Sequence, residues 1–234
     1  MKIDFHTHIL PKIDDGSRST EMSFEMLKRE AQQGVDTVLC TPHFYGDRMR
    51  IDEFLMDRDH AFRKIEGMAE ELNIKLVKGS EVAFFPGIGR AADDLEALKI
   101  EGTDLLLLEM PFRRWEDSDV IEVERLIRRG FIPVIAHVER FFRYQKGRSI
   151  IDEVMDLDVW VQVNAECLLG CWSERRLAIG LFKKGEAHLL GSDCHNLDGR
   201  RPNLEEGRRI LARKLGEGVL EDIDRLGEEI LGGI

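Results

Sequence analysis

Cysteine is scarce in this chain, and nothing in it reads as an export or membrane signal. The four cysteines, Cys40, Cys167, Cys171 and Cys194, contain no Cys-x2-Cys pair and are too few to staple 234 residues, so reduced thiols are expected. There is no basic n-region and no long apolar run. Met1 leads straight into Lys2-Ile3-Asp4-Phe5, so neither a signal peptide nor membrane insertion is expected, and the expected location is cytoplasmic. Basic charge is in deficit: 34 Lys and Arg against 45 Asp and Glu leave a net charge of −11, which disfavours nucleic acid as a partner. Linker-like, repetitive and low-complexity segments are also missing, so residues 1–234 are expected to form a single domain.

What is present is a regular alternation. Short β-rich runs fall near 2–6, 36–41, 75–80, 104–109, 132–137, 159–163 and 187–192. Amphipathic stretches lie near 19–33, 51–72, 89–97, 117–129, 148–156, 173–184, 203–215 and 218–231, with Gly34 and Gly130 marking helix ends and 44–50 reading as a surface loop. Alternating β and α elements imply parallel strands joined by right-handed crossovers. Seven such units suggest an α/β barrel, with a doubly wound open sheet as the competing arrangement.

The chemistry-bearing residues fall at strand ends. His6, His8, His43, Glu81, Glu109, His137, Asp193 and His195 all follow predicted strands, and in a barrel those ends converge on one mouth. Residues i and i+2 of a strand share a side, so His6-Thr7-His8 and Asp193-Cys194-His195 can each aim two ligands at one centre. Imidazole with carboxylate suits Zn, Mn or Fe better than thiolate-selective metals. Five of the seven histidines occupy these ends. His60, in a predicted helix, and His188, in a predicted strand, do not and read as structural. Asp4 shares the predicted face of His6 and His8, as a support for the ligands or as a buried strand-end carboxylate with a backbone partner.

The ordered motifs Asp4-Phe5-His6-Thr7-His8, Asp14-Asp15-Gly16, Thr41-Pro42-His43, Gly79-Ser80-Glu81, Leu108-Glu109, Ala136-His137-Val138-Glu139-Arg140 and Ser192-Asp193-Cys194-His195-Asn196 resemble the polymerase-and-histidinol-phosphatase (PHP) superfamily. Within it, they are most similar to the bacterial capsule- and exopolysaccharide-associated tyrosine phosphatases of the CpsB/YwqE type. The likeness runs from residue 2 to about 202. It implies a distorted (β/α)7 TIM-like barrel and two to three divalent ions, Mn favoured among Mn, Fe, Zn and Co. The ions would be held by His6, His8, Glu81 and Asp193; by Glu81, Glu109 and His137; and by Asp15, His43 and His195. Asp15 fits the third position best, with Asp14 next to it and a plain Asp-Gly turn as the bland reading.

The resemblance also implies phosphate binding by Arg140 and Arg200, where a guanidinium fork suits phosphate oxygens. Arg201 adjoins Arg200 and could take its place. The implied reaction is in-line hydrolysis by an ionised water, and the implied partner is a phosphotyrosine protein, the tyrosine-rich tail of a bacterial tyrosine autokinase. A phenol leaves with a pKa of about 10, so no general acid is assigned. Nine of the seventeen aromatics, namely Phe44, Tyr45, Phe84, Phe85, Phe112, Trp115, Phe141, Phe142 and Tyr144, follow ligand positions, and could stack a tyrosine ring or simply pack the loops. Competing functions are a histidinol-phosphate or other small-molecule phosphatase and a non-catalytic PHP module. Cys194 and Arg200 fit the Cys-x5-Arg spacing of cysteine-dependent phosphatases, but Asp198 would put a carboxylate in that phosphate loop and a strand would turn Cys194 away from the ligands.

Overall fold

The computed structural model describes residues 1–232, and in them strands and helices alternate from the first element onward. The order is β1 (Ile3–Thr7), α1 (Thr20–Gln32), β2 (Thr37–Cys40), β3 (His43–Tyr45), α2 (Ile51–Glu71), β4 (Lys75–Lys78), β5 (Glu81–Ala83), α3 (Ala92–Leu95), β6 (Leu105–Glu109), α4 (Asp117–Arg128) and β7 (Ile132–Ile135). It continues with α5 (Ser149–Met155), β8 (Trp160–Asn164), α6 (Ala165–Leu169), α7 (Trp172–Lys183), β9 (Leu189–Gly191), α8 (Leu204–Leu215) and α9 (Gly218–Leu231). Local chemistry sets the boundaries. The Ser19 side chain accepts a hydrogen bond from the Met22 amide at the start of α1, and Gly34 and Gly130 take positive φ just past the ends of α1 and α4.

Every strand pairing is parallel, in the orders β1-β2-β4 and β3-β5-β6-β7-β8-β9. The expected strands near 36–41 and 75–80 are each followed by a second short strand: Thr41-Pro42 separates β2 from β3, and Gly79-Ser80 separates β4 from β5. Pro42 has no amide to give the ladder, and beside it the Thr41 hydroxyl ties the break to β1, accepting from the Thr7 amide at 3.0 Å and donating to the Thr7 carbonyl at 3.1 Å. Past β9 the sheet closes on β1, with Asp193 N donating to His6 O at 2.8 Å and His8 N donating to Cys194 O at 2.9 Å. The result is a distorted seven-unit barrel, which rules out the open doubly wound sheet.

Some expectations need correction. The stretch 44–50 is not all loop, because Phe44 and Tyr45 continue β3 against β5. The helix expected over 89–97 is one α turn followed by a 3-10 turn, Glu96–Leu98; Gly89 is instead pinned to α4, its amide donating to Glu122 Oε2 at 2.9 Å. Helix α6 and the 3-10 turns Val138–Arg140 and Phe142–Tyr144 are too short to leave a periodic trace.

Apolar side chains form two layers. One lies between the strands and the outer helices, around residues such as Met26, Leu27, Ile65, Leu126 and Leu181. The other fills the lower barrel with Ile3, Phe5, Leu105, Leu107, Val134 and Leu189, closed by Leu226, Ile230 and Leu231 of α9. Gly227 makes this floor possible, since a Cβ there would lie 2.6 Å from Ile3 Cδ1 and 3.1 Å from the Phe5 ring. Among the described residues, no helix is long and apolar enough to cross a membrane.

Candidate metal centre

The strand ends opposite that floor carry the polar residues. His6 and His8 end β1, Glu109 ends β6, His137 follows β7, and Asp193 and His195 follow β9. His43 and Glu81 open β3 and β5, so the two strand breaks place them at the mouth, directly paired in register. The β1 register slips between Asp4 and Thr7, which undoes the simple alternation expected there. Ile3 and Phe5 point into the barrel floor, whereas Asp4 faces Glu30 of α1 and accepts from the amides of His6 and Ser192, at 3.2 and 2.9 Å. Asp4 is therefore a buried carboxyl with backbone partners and does not share the ligand face.

Around Glu81 the side chains crowd without hydrogen-bonding. Its Oε2 lies 3.2 Å from His6 Nε2, 3.2 Å from His8 Nε2 and 2.9 Å from His43 Nδ1, yet it is buried and has no hydrogen-bond partner among the described residues. Asp193 Oδ1 is equally buried and unpartnered, 3.6 Å from His6 Nε2 and 3.4 Å from His8 Nε2. Ligand atoms about 2.1 Å from a shared ion stand roughly 3.0–3.4 Å apart at octahedral to tetrahedral angles, close to these separations. The other carboxylate oxygen, Glu81 Oε1, is 2.8 Å from His137 Nε2, which is 3.4 Å from Glu109 Oε1. A third group gathers His8, Asp15, His43 and His195, with Asp15 Oδ1 at 3.6 Å from His43 Nε2 and 3.4 Å from His195 Nε2.

The imidazoles are oriented from behind. His8 Nδ1 lies 2.7 Å from Asp14 Oδ2, His195 Nδ1 2.9 Å from the Asp193 carbonyl and His6 Nδ1 3.3 Å from Gln162 Oε1. Each of these partners is an acceptor, so in its neutral form each ring carries its proton on Nδ1 and presents a lone pair at Nε2. His6 Nε2 and His8 Nε2 then face each other at 3.1 Å, two lone pairs that a cation between them would reconcile. Buried, unpartnered Glu81 Oε2, Asp193 Oδ1 and His195 Nε2 and this donor set fit divalent ions.

Charge at the site follows the same geometry. Burial pushes the Glu81 and Asp193 carboxyls up, but the surrounding histidines, with Arg140 beside Asp193, pull both well below the usual range. Burial would lower His8, and Asp14, Asp193 and Glu81 outweigh it and raise it. The pocket thus attracts positive charge, for which protons and metal ions compete. His195 goes the other way: burial, and then His8 whenever that ring is protonated, lower it to about 3, leaving a neutral imidazole able to ligate.

The neighbouring candidates separate in space. Asp14 orients His8 and also accepts from the His43 amide at 3.0 Å, while Asp15 faces the third group. Gly16 is required in this turn, because a Cβ would fall 2.2 Å from the His8 carbonyl oxygen. Arg140 and Arg200 both reach Asp193 Oδ2, at 2.9 and 2.7 Å, at the edge of the cluster. Arg201 turns away and pairs with Glu206. His137 and Asp193 hold left-handed backbone, φ 31° and 54°, so the Asp193 chain is not the extended strand that the i, i+2 argument assumed. Cys194 nevertheless points away, toward Glu30. His60 is exposed in α2, and His188 precedes β9, its Nδ1 accepting from the Val161 amide.

Sequence reading passes over Gln162 and Asn164 of β8, which tie the candidate ligands together. Gln162 Oε1 accepts from the His137 amide and Gln162 Nε2 donates to Asn164 Oδ1, both at 2.8 Å, and Asn164 Nδ2 donates to Asp193 Oδ2 at 2.8 Å. Two polar residues spaced by two in the otherwise apolar Trp160–Asn164 are the signal that could have found them.

Residues 2–228 match the model of a family described as capsular polysaccharide synthesis, CpsB/CapC. Tyrosine-protein phosphatase YwqE of Bacillus subtilis (strain 168) is 25% identical over 220 residues, spanning 92% of this chain and 85% of that protein. Tyrosine-protein phosphatase CpsB of Streptococcus agalactiae serotype V is 24% identical over 229 residues, spanning 92% and 91%. A crystal structure from work on YwqE of Bacillus subtilis and CpsB of Streptococcus pneumoniae, described as unique metal-dependent tyrosine phosphatases, shares the fold. Its TM-score is 0.87 at 23% identity, over 99% of this chain and 94% of the other.

Proposed function

Because this chain belongs to the CpsB/CapC capsular polysaccharide synthesis family, we propose that it is a metal-dependent protein-tyrosine phosphatase, a phosphoric monoester hydrolase built as a single PHP-type domain. The observation that carries the reading is Glu81 Oε2, surrounded by three imidazole nitrogens within 3.2 Å and hydrogen-bonded to none of them. On this reading His6, His8, Glu81 and Asp193 hold one ion; Glu81, Glu109 and His137 a second; and Asp15, His43 and His195 a third. Two to three divalent ions, Mn first among Mn, Fe, Zn and Co, would acidify water and offset phosphoryl charge.

The protein's own groups do the rest. Arg140 and Arg200 approach Asp193 Oδ2 from two sides, so a phosphate at this mouth meets two guanidinium forks already in place. The Gln162-Asn164 chain keeps the His137 backbone and the Asp193 carboxylate in register with His6. Asp14 holds the His8 tautomer. At the rim, the Tyr45 ring stacks 5.3 Å from His43, and the Phe112 ring, 44% exposed, stacks 6.0 Å from His137. Between them they form an apolar flank suited to an aryl ester.

The proposed substrate is a cytoplasmic phosphotyrosine protein of capsule or exopolysaccharide synthesis, a bacterial tyrosine autokinase. Elemental analysis combined with assays before and after chelation tests the reading. Two or more divalent ions per chain are expected, with hydrolysis of phosphotyrosine peptide that chelation abolishes and added Mn restores. Undiminished turnover by thoroughly demetallated protein would sink the metal reading, and clear preference for histidinol phosphate would sink the substrate.

A further inference from the structure

Gln162 of β8 serves two of the proposed ion positions with one atom. It is fully buried, and its Oε1 accepts from the His137 amide at 2.8 Å while lying 3.3 Å from His6 Nδ1. An amide oxygen has two lone pairs, enough for both donors. The side chain cannot be turned round, because the His137 amide can only donate and Nε2 has Asn164 Oδ1 to meet at 2.8 Å. From there Asn164 Nδ2 donates to Asp193 Oδ2 at 2.8 Å, leaving Asp193 Oδ1 toward His6 and His8. Gly191 clears the space in which β8 and β1 meet, since a Cβ there would lie 2.7 Å from His6 Cβ and 2.9 Å from Gln162 Nε2.

His137 depends on this arrangement more than the other imidazoles do. His8 and His195 are braced at Nδ1 by Asp14 and by the Asp193 carbonyl. His137 Nδ1 is buried without a hydrogen-bond partner among the described residues, and its backbone is left-handed at φ 31°. No hydrogen bond fixes the ring from behind, so its place follows from its backbone, and Gln162 Oε1 holds that backbone's amide. The same oxygen faces His6, which belongs with Asp193 to a different ion position from His137. Glu81 joins the two positions as a ligand; Gln162 joins them from behind, through the ligands.

We propose that Gln162 is a positioning residue that couples these two positions, so that filling the one held by His6 and Asp193 sets His137 for the other and the two ions load as a pair. The inference rests on the metal reading of the site. Coupling of this kind is reciprocal: an ion at Glu109 and His137 steadies Gln162 and, through it, His6. Gln162 touches no substrate and takes no part in the chemical step.

The test is a titration of the demetallated full chain with Mn²⁺, in which electron paramagnetic resonance follows both free Mn²⁺ and the signal of spin-coupled Mn²⁺ pairs. In the parent the first two ions are expected to enter in one step, with the pair signal growing from the start. Gln162→Leu, similar in size but without acceptor or donor, should split the step in two, with the second ion bound about 10- to 100-fold more weakly and the pair signal delayed to it. Gln162→Glu keeps an oxygen for both N–H groups and should retain the single step, whatever its overall affinity. A Leu variant that loads as the parent does or weakens both ions equally, or a Glu variant that splits, overturns the coupling. Should the Leu variant fail to fold, the Glu variant decides alone, a split step overturning the coupling and a single step upholding it. Paired loading without turnover of any phosphomonoester would overturn the phosphatase reading and leave the coupling standing, and a chain that binds no Mn²⁺ overturns both.

Discussion

The two ends of the barrel are buried to the same degree and built from opposite materials. At the floor, Ile3, Phe5, Leu105 and Leu189 are at most 3% exposed, and helix α9 covers them. At the mouth, His6, His8, Glu81, His137 and Asp193 are at most 2% exposed, and three of the buried polar atoms there, Glu81 Oε2, Asp193 Oδ1 and His195 Nε2, have no hydrogen-bond partner among the described residues. The mouth also contains left-handed His137 and Asp193, conformations that non-glycine residues adopt at a cost. Burial alone therefore does not mark a structural role. One end is complementary to its own helix, and the other is complementary to something the chain does not contain.

The largest expected effect follows from the mouth. Glu81 takes part in two of the ligand groups, so Glu81→Gln keeps the shape of the side chain and removes the shared charge. Loss of roughly a thousandfold in kcat/KM on a phosphotyrosine peptide is expected, with at least one bound ion lost by elemental analysis, since removing even a ligand's supporting partner costs 10- to 100-fold. Far-ultraviolet circular dichroism should be unchanged. Activity within about tenfold of the parent would show that the mouth is not organised around Glu81.

The reverse outcome is expected at the floor. In Gly227→Val the added carbons meet Ile3 Cδ1 and the Phe5 ring, so the helix must back away or the core repack. Overpacking of this kind costs about 1–3 kcal/mol, which for a chain of this size lowers the unfolding midpoint by roughly 2–12 °C. Turnover per folded molecule below that midpoint should match the parent. If the floor variant lost activity in proportion to the mouth variant, the division of labour between the two ends would be wrong.

This contrast also explains what could be read from the chain directly. Seven strands are legible because buried parallel strands leave dense apolar runs, and the mouth is legible because histidines and carboxylates interrupt those runs at their ends. The breaks at Thr41-Pro42 and Gly79-Ser80 leave no such mark, since each half-strand is too short to show a period. The slip in β1 that turns Asp4 toward Glu30 is hidden for a different reason: pairing register belongs to the neighbouring strand and not to the segment itself. Gln162 and Asn164 escape because neutral amides carry no titratable signature, although they hold three of the proposed ligands in relation to one another. The resemblance points to Asp15 and Arg200, and what sets them apart in space from Asp14 and Arg201, the turn around Gly16 and the pairing of Arg201 with Glu206, is not legible in the sequence.

The smallest expected effect concerns Cys194, which stands between two proposed ligands and six residues before Arg200, the spacing of a cysteine-dependent phosphatase. Its side chain is fully buried on the far side of the chain from the ligands, 3.9 Å from Glu30 Oε1. Burial, and then the neighbouring carboxyls of Glu30 and Asp4, push the thiol well above its ordinary range, so the thiolate that nucleophilic catalysis requires is suppressed. Arg200 meanwhile reaches Asp193, at the mouth. Cys194→Ser should therefore keep kcat on a phosphotyrosine peptide within about twofold of the parent, and a thiol-alkylating reagent should leave the folded enzyme active. A loss of a hundredfold or more in the serine variant, with its metal content intact, would move the nucleophile from water to sulfur.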